Sequence, residues 1–263
     1  MRIAFIGGGA MAEAMVKCLL DTKAATRQDL VVSDVSSARR ELFNREYGVN
    51  ALADNGNAVK NADLIVLAVK PQNLLMVMRE INVLSPEQAV LSVVAGVTLE
   101  NLCQGLNHLS VIRAMPNMPA QIGEGMTVWI ATEETSQEQK DWAQSALRTL
   151  GKEVYVTDEK YLSMATALSG SGPAYVFLFI ETLIDAGVHI GLPRDMAQKL
   201  VIQTVIGSAW TVEKTGKHPA DLRNMVTSPG GTTTEALIKL ERGGFRSLLL
   251  DAVAAANEKA RQF

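Results

Sequence analysis

For its first 156 residues the chain alternates between short apolar runs and longer stretches with helical spacing, and then the alternation stops. The spacing predicts strands at Arg2–Ile6, Leu30–Ser33, Leu64–Val69, Ala89–Val94, Val111–Ala114, Thr127–Ala131 and Glu153–Val156. It predicts helices at Met11–Leu20, Ala38–Tyr47, Asn73–Leu84, Leu99–Gly105 and Gln137–Leu150. Strands that alternate with helices of this length form parallel β-α-β units. The expected fold of residues 1–157 is therefore an α/β domain with an open, doubly wound parallel sheet.

Beyond Thr157–Asp158 no strand pattern is visible. Ala174–Ala186 is apolar on nearly every face, and Leu200, Val201, Thr204, Val205, Ser208, Ala209 and Val212 recur at helical spacing. Residues 158–263 are expected to form a smaller all-helical domain. A helix apolar all round has to be covered on all sides. In a domain of this size a second copy covers it most simply, so a homodimer through the helical half is expected; a central helix in a monomer is the alternative.

Composition removes other classes of function. The 263 residues carry a net charge of −3, so no basic excess draws the chain to nucleic acid. Glu181 and Asp185 interrupt the apolar stretch 174–192, and no segment is expected to provide the roughly 20 apolar residues of a membrane span. The start "MRIAFIGGG" lacks the features of a signal peptide, which points to a cytoplasmic protein. Cys18 and Cys103 read as buried thiols, with a disulfide as the other reading. No His, Cys and carboxylate cluster has metal-ligand spacing, so no metal is expected.

The first strand runs into "FIGGGAMA" at 5–12. Gly7 permits a tight turn, Gly9 lets a pyrophosphate approach the backbone, and Ala12 is small enough for close strand–helix packing. The pyrophosphate would then meet the free N–H groups of the helix start. This is the Rossmann-type signature for NAD or NADP. The next strand ends "VVSDVSSARR", where the signals conflict. Asp34 suits the ribose hydroxyls of NAD, whereas Ser33, Ser36, Ser37, Arg39 and Arg40 suit a 2′-phosphate. Lys70-Pro71 falls at the carboxyl end of a strand, where open α/β sheets bind ligands; a surface strand end is the alternative. Ala95 and Gly96 leave room for a flat ring, and Pro116 and Pro119 stiffen a loop beside it.

A second glycine-rich helix start lies far away, in "TSPGGTTTEAL" at 227–237. Gly230 and Gly231 can adopt angles other residues avoid, and the N–H groups of Thr232 and Thr233 are unpaired within the helix they open. Such a start either cradles a second anion, most simply a substrate carboxylate, or is a threonine-capped helix with no ligand. "LSGSGPAYVF" at 168–177 reads as a further loop, lining the same cleft or leading tightly into the apolar helix.

Taken together, "FIGGGAMA", "AVKPQ", "VAGVT", "RAMPNMPA", "SGSGPAYVF" and "TSPGGTTTEAL" resemble, in order and spacing, the pyrroline-5-carboxylate reductases, which make L-proline. The resemblance covers essentially the full length. It implies a Rossmann domain, a helical dimerisation domain, an active site between them to which the partner subunit contributes, and dimers that commonly assemble into decamers. It implies that Ile6, Gly7, Gly8, Gly9, Ala10 and Met11 hold the pyrophosphate, and that Asn55, Ala68, Val69, Lys70, Pro71 and Ala95 lie along NADP or NAD. It implies that Thr232 and Thr233 bind the carboxylate of a cyclic imino acid near Ser228, with the Thr233 hydroxyl touching the ring nitrogen. Two departures stand out. Members that prefer NADP often carry Asn-Arg where this chain has Asp34-Val35, and Gly216 stands where some carry a glutamate.

The implied reaction moves hydride to the carbon of a protonated C=N bond. The product amine is neutral, so orientation matters more than an acid catalyst. His108, His189 and His218 lie outside the proposed site loops. The "SGSGPAYVFLF" helix start lacks the lysine that β-hydroxyacid dehydrogenases place on the first long helix of their second domain. A nucleotide sensor without turnover would have no use for the carboxylate cradle.

Overall fold

The computed structural model describes residues 1–81 and 83–261. Eight strands form one sheet: β1 (Ile3–Ile6), β2 (Leu30–Ser33), β3 (Asn50–Leu52), β4 (Leu64–Leu67), β5 (Ala89–Ser92), β6 (Val111–Met115), β7 (Gly125–Ala131) and β8 (Gly151–Tyr155). Their order is β3-β2-β1-β4-β5-β6-β7-β8. Strands β1 to β6 pair in parallel, with Ile3 opposite both Leu30 and Leu64.

The doubly wound parallel sheet expected from the sequence is present, with one antiparallel pair in it. β7 runs antiparallel to β6, and β8 is parallel to β7. Residues 116–124 between β6 and β7 contain only a short 3-10 turn, Met118–Ile122. A parallel crossover needs a dozen or more residues, so this connection has to reverse the chain. Strand β3 was not expected either; its three residues are half-exposed at the sheet edge and carry no apolar run.

Helices α1 (Ala10–Asp21), α2 (Ser37–Leu42), α3 (Asn55–Val59), α4 (Pro71–Glu80), α5 (Leu99–Leu106) and α6 (Gln137–Arg148) cover the sheet. The helix expected at Ala38–Tyr47 finishes as a π turn, Phe43–Tyr47. The helix expected at Asn73–Leu84 begins earlier, at Pro71; its later part runs over residue 82, which lies outside the described residues. Alternate strand residues feed two cores. Ile3, Phe5, Val32, Val66 and Leu91 meet Met15 and Val16 of α1 and Ala143 and Leu147 of α6. Ala4, Ile6, Ile65, Leu67 and Val90 meet Val59, Leu74, Val77 and Leu102 from α3, α4 and α5. Both faces are covered, which is why the strands read as unbroken apolar runs.

Two compact units result. One spans Met1–Ser171 together with the chain from Ala256 onward, and the other is Gly172–Ala255. The first reaches past residue 157 because α7 (Lys160–Ala165) buries Leu162 against Val128 and Ile130 of β7. The second unit holds α8 (Gly172–His189), α9 (Arg194–Thr215), α10 (Pro219–Met225), α11 (Thr232–Arg242) and most of α12 (Phe245–Ala260). Within it α8 and α9 are clamped by an Arg194–Asp185 ion pair of 2.6 Å. A Cβ on Gly187 would stand 3.0 Å from the Ala197 methyl, so these helices pack closely through a glycine.

The apolar helix predicted to need covering is uncovered in a single chain. Phe177, Leu178 and Phe179 of α8, Trp210 of α9 and Leu248 and Leu250 of α12 are exposed. One segment also departs from the expectation that none could span a membrane. The continuous helical stretch Lys160–His189 is, by length and composition, apolar enough to cross a membrane, because Glu181 and Asp185 are too few to offset its neighbours. Cys18 and Cys103 are both free thiols, raised above the ordinary cysteine range chiefly by burial.

Candidate active site

The first glycine turn follows from local geometry. Gly7 has φ +95°, and a Cβ there would stand 2.8 Å from Val69 Cγ1 and 2.9 Å from the Ala68 carbonyl oxygen. No other residue fits. The Gly7 N–H donates to the Ser33 carbonyl at 2.8 Å, tying the turn to β2. A Cβ on Gly8 would stand 2.8 Å from Phe43 Cε2. At Gly9, the N-cap of α1, a Cβ would meet nothing closer than the Ala68 carbonyl at 3.8 Å, and no side chain caps the helix. The N–H groups of Ala10 and Met11 therefore open a helix start that no side chain among the described residues caps. This cradle fits the pyrophosphate of a dinucleotide.

The Gly8 peptide is held at both ends. Its N–H donates to Asp34 Oδ2 at 2.7 Å, and its carbonyl accepts from Arg39 Nε at 2.5 Å. Asp34 Oδ1 accepts from the Ser36 N–H at 2.8 Å. Arg39 continues to Glu13 Oε2 at 2.7 Å and lies over the Phe43 ring at 5.5 Å. Glu13 Oε1 accepts from the Tyr47 hydroxyl at 2.9 Å. Burial by itself raises the Glu13 carboxyl, but the hydrogen bonds from Arg39 and Tyr47 outweigh it and hold the group below the usual glutamate range. Burial, reinforced by Glu13, pushes the Tyr47 phenol up to about 12. Arg40 donates from one terminal nitrogen to the Asp34 and Val35 carbonyls, at 2.8 and 2.9 Å.

Ser33 corrects an expectation. It is fully buried with its hydroxyl unpartnered, so that hydroxyl is not presented to a 2′-phosphate. Sequence reasoning missed Glu13, Phe43 and Tyr47 altogether. Phe43 and Tyr47 sit in the π turn, a feature without a composition signal.

The other strand ends deliver the remaining candidates. Ala68 and Val69 pack against the Gly7 turn, Lys70 is the exposed N-cap of α4, and Pro71 is its first residue. Proline suits that position because the N–H it lacks would be unpaired anyway. Ala95 is exposed just before Gly96, which has φ +77°. Asn55, at the start of α3, donates from Nδ2 to Glu80 Oε2 at 2.6 Å.

The stretch read as a loop at 168–177 is mostly helical. Leu168–Gly170 complete a π turn (Thr166–Gly170) that continues α7, closed by the Ser171 N–H on the Thr166 carbonyl at 2.8 Å, and α8 starts at Gly172. Asn117 of "RAMPNMPA" ties this turn down. Its Nδ2 reaches the Ser169 carbonyl at 3.2 Å and the Ser169 hydroxyl at 3.3 Å, while its Oδ1 accepts from the Met126 N–H at 2.9 Å. Such π turns occur often at functional sites. Asn117 carried no signal beyond its place between two prolines.

The second glycine-rich start lies in the helical unit. Gly230 has φ +66°, and Gly231 is the N-cap of α11. A Cβ on Gly231 would run into the Ser228 hydroxyl. The Ser228 carbonyl takes the Gly231 N–H at 3.0 Å and the Thr234 hydroxyl at 2.6 Å. No side chain caps α11, which leaves the N–H groups of Thr232 and Thr233 unspent. Helices α2, α3, α5 and α6 are capped by Ser36, Asp54, Thr98 and Ser136, whereas α4, α7 and α9 share the lack of a side-chain cap with α11.

Two of the three histidines have partners. His108 Nε2 lies 2.8 Å from the Gln88 carbonyl, and His218 Nδ1 accepts from the Ala220 N–H at 3.2 Å, capping α10. Among the described residues no group of three or more His, Cys, Asp or Glu is placed to hold a metal.

Comparison with known proteins covers both halves. Residues 159–263 match the family model for pyrroline-5-carboxylate reductase dimerisation, and residues 2–96 match that for coenzyme F420-dependent NADP oxidoreductases. A pyrroline-5-carboxylate reductase of a Synechocystis species is 40% identical over 262 residues, covering 100% of this chain and 98% of the relative. That of Escherichia coli is 38% identical, covering 99% and 97%. The solved structure of a Coxiella burnetii pyrroline-5-carboxylate reductase, at 37% identity, superposes with a TM-score of 0.92 over 99% of this chain and 97% of that one. A Plasmodium falciparum pyrroline carboxylate reductase with NADP bound, at 30% identity, gives 0.91 over 100% and 97%. Two glycine-led helix starts and likeness along the whole length lead to one conclusion: the chain belongs to the pyrroline-5-carboxylate reductase family.

Proposed function

We propose that the chain performs the reaction of its family, the NAD(P)H-dependent reduction of 1-pyrroline-5-carboxylate to L-proline, the last step of proline biosynthesis. The observation that carries this is full-length likeness to reductases from several organisms. The residue roles rest on two helix starts, each with a glycine N-cap and no side-chain cap, read together with the likeness to the family.

Gly7, Gly8, Gly9, Ala10 and Met11, led by Ile6, hold the dinucleotide through backbone N–H groups, with Asp34 at the adenosine ribose. Asn55, Ala68, Val69, Lys70, Pro71 and Ala95 line the rest of it. Reduced nicotinamide, when bound, supplies the hydride. Thr232 and Thr233 receive the substrate carboxylate at the start of α11, beside Ser228, with Gly230 and Gly231 shaping the turn. The Thr233 hydroxyl meets the ring nitrogen and fixes which face of the imine is presented. A protonated imine becomes a neutral amine on reduction, so no general acid is required. The commitments of His108 and His218, and the absence of lysine from α8, agree with that.

The exposed apolar face of α8, α9 and α12 supports a homodimer, and the match to a dimerisation family supports the same reading. We place the enzyme in the cytoplasm, with dimers able to build a decamer. The test is direct. Purified protein given 1-pyrroline-5-carboxylate should consume NADPH or NADH and release proline in equal amounts. Loss of neither nucleotide, with no proline formed, would overturn the assignment.

A further inference from the structure

We infer that Asp34 makes this enzyme selective for NADH over NADPH. The inference rests on the proposed dinucleotide cradle at Gly7–Met11 and concerns the one place where the two nucleotides differ, the 2′ position of the adenosine ribose. An acid at the end of β2, beside the cradle, is where such a fold meets that ribose.

Asp34 is fixed in place by the chain. One carboxylate oxygen takes the Gly8 N–H at 2.7 Å and the other takes the Ser36 N–H at 2.8 Å. Each oxygen retains a further lone pair, so the group still accepts from a ribose hydroxyl. A 2′-phosphate has no such proton to give and brings close to two negative charges against a carboxylate that cannot swing aside.

The cations nearest this carboxylate already bond to the chain. Arg39 spends Nε on the Gly8 carbonyl and a terminal nitrogen on Glu13, with its face on Phe43. Its charge is already balanced by that carboxylate. Arg40 spends a terminal nitrogen on the Asp34 and Val35 carbonyls. The Ser33 hydroxyl is buried, and the Ser36 hydroxyl accepts the Arg39 N–H at 3.4 Å as the cap of α2. Of the five groups that the sequence offers to a phosphate, Ser33 is buried and Arg39 and Arg40 each hold backbone carbonyls at the β2 end. Arg39 and Asp34 act together: one holds the Gly8 carbonyl and the other its N–H, so the carboxylate that rejects phosphate also shapes the pyrophosphate turn.

The experiment measures the dissociation constants of NADH and NADPH by nicotinamide fluorescence, with kcat/KM for both on 1-pyrroline-5-carboxylate alongside. The unaltered enzyme should bind NADH at least about tenfold more tightly. Asp34→Asn should narrow or invert that ratio by about tenfold or more, chiefly by improving NADPH. Asp34→Ser should do the same and guards against misfolding of the first variant, since serine still offers one oxygen to the two N–H groups. Arg39→Ala and Arg40→Ala should leave the ratio within about threefold, because neither arginine serves a phosphate. Equal or tighter NADPH binding by the unaltered enzyme would overturn the inference, as would a ratio that neither Asp34 variant moves, or an Arg40→Ala loss confined to NADPH. Binding of neither nucleotide would instead bring down the dinucleotide cradle itself, a failure distinguishable from the others.

Discussion

The two glycine-led helix starts obey the same chemistry and are built in opposite ways. At α1 the turn is braced on every side. Gly7 is pressed against Ala68 and Val69, Gly8 is held by Asp34 and Arg39, and Glu13 and Tyr47 brace Arg39 from behind. At α11 the turn is held by little beyond Ser228, and a Cβ on Gly230 would meet nothing within 4 Å. The first start lies on a sheet whose central strands are fully buried, the second in a unit whose large apolar side chains are exposed. A site for a cofactor common to many enzymes can be finished within one chain. A site whose surroundings are bare apolar helix is finished, on the reading proposed here, by a second copy.

Substitutions at matched glycines would break this comparison most sharply. Gly7→Ala places a side chain at φ +95° and into Val69 and the Ala68 carbonyl. It should weaken NADH and NADPH binding by about 100-fold, read by fluorescence titration. Gly230→Ala has the positive φ but open space, so it should cost only about 1 kcal/mol of stability, seen as a small fall in Tm, and leave nucleotide binding intact. Equal damage from both would mean that the two turns are equally constrained. Next in size, Thr233→Ala should lower kcat/KM for the imine by about tenfold while nucleotide dissociation constants stay put. Unchanged kinetics would remove the hydroxyl from the reaction.

The smallest effect concerns the brace behind Arg39. The Glu13 carboxyl is held below the glutamate range in the folded protein, so its bonds stabilise the fold above its unfolded pKa of about 4.3 and lose that effect as pH falls through the lower folded value. Glu13→Gln should therefore destabilise the protein at neutral pH by about 1 kcal/mol, because the pair is partly solvent-exposed. The gap to the unaltered protein should close in acid. A gap that persists well below that window would mean that Glu13 acts through packing rather than charge.

Much of the fold was legible because it follows from local rules. Buried parallel strands announce themselves as apolar runs, and α1, α5 and α6 appear within a residue or two of their predicted ends. What escaped had no local signal or a misleading one. β3 is three half-exposed residues, and the Ser-Gly stretch at 168–171 has loop composition yet is wound into a π turn by the Ser171 N–H and anchored by Asn117. The reversal at β7 was available in principle, since residues 116–124 are too few for a crossover. The site shows the same division. Both glycine-led helix starts were visible as glycine followed by helix, but the bonds of Arg39 to Gly8 and Glu13 reach back across 31 and 26 residues.

Sequence by itself determined that this chain has an α/β half, an all-helical half and two glycine-led helix starts, because backbone angles and apolar spacing act over a few residues. Only the tertiary structure decided which polar side chains at the end of β2 are buried and which bond to the chain. Asp34, Ser33, Arg39 and Arg40 are equally plausible partners as letters in a row. They separate only when β2, α1 and the π turn at 43–47 come together, since a hydrogen bond already made to the chain is one no longer offered to a phosphate.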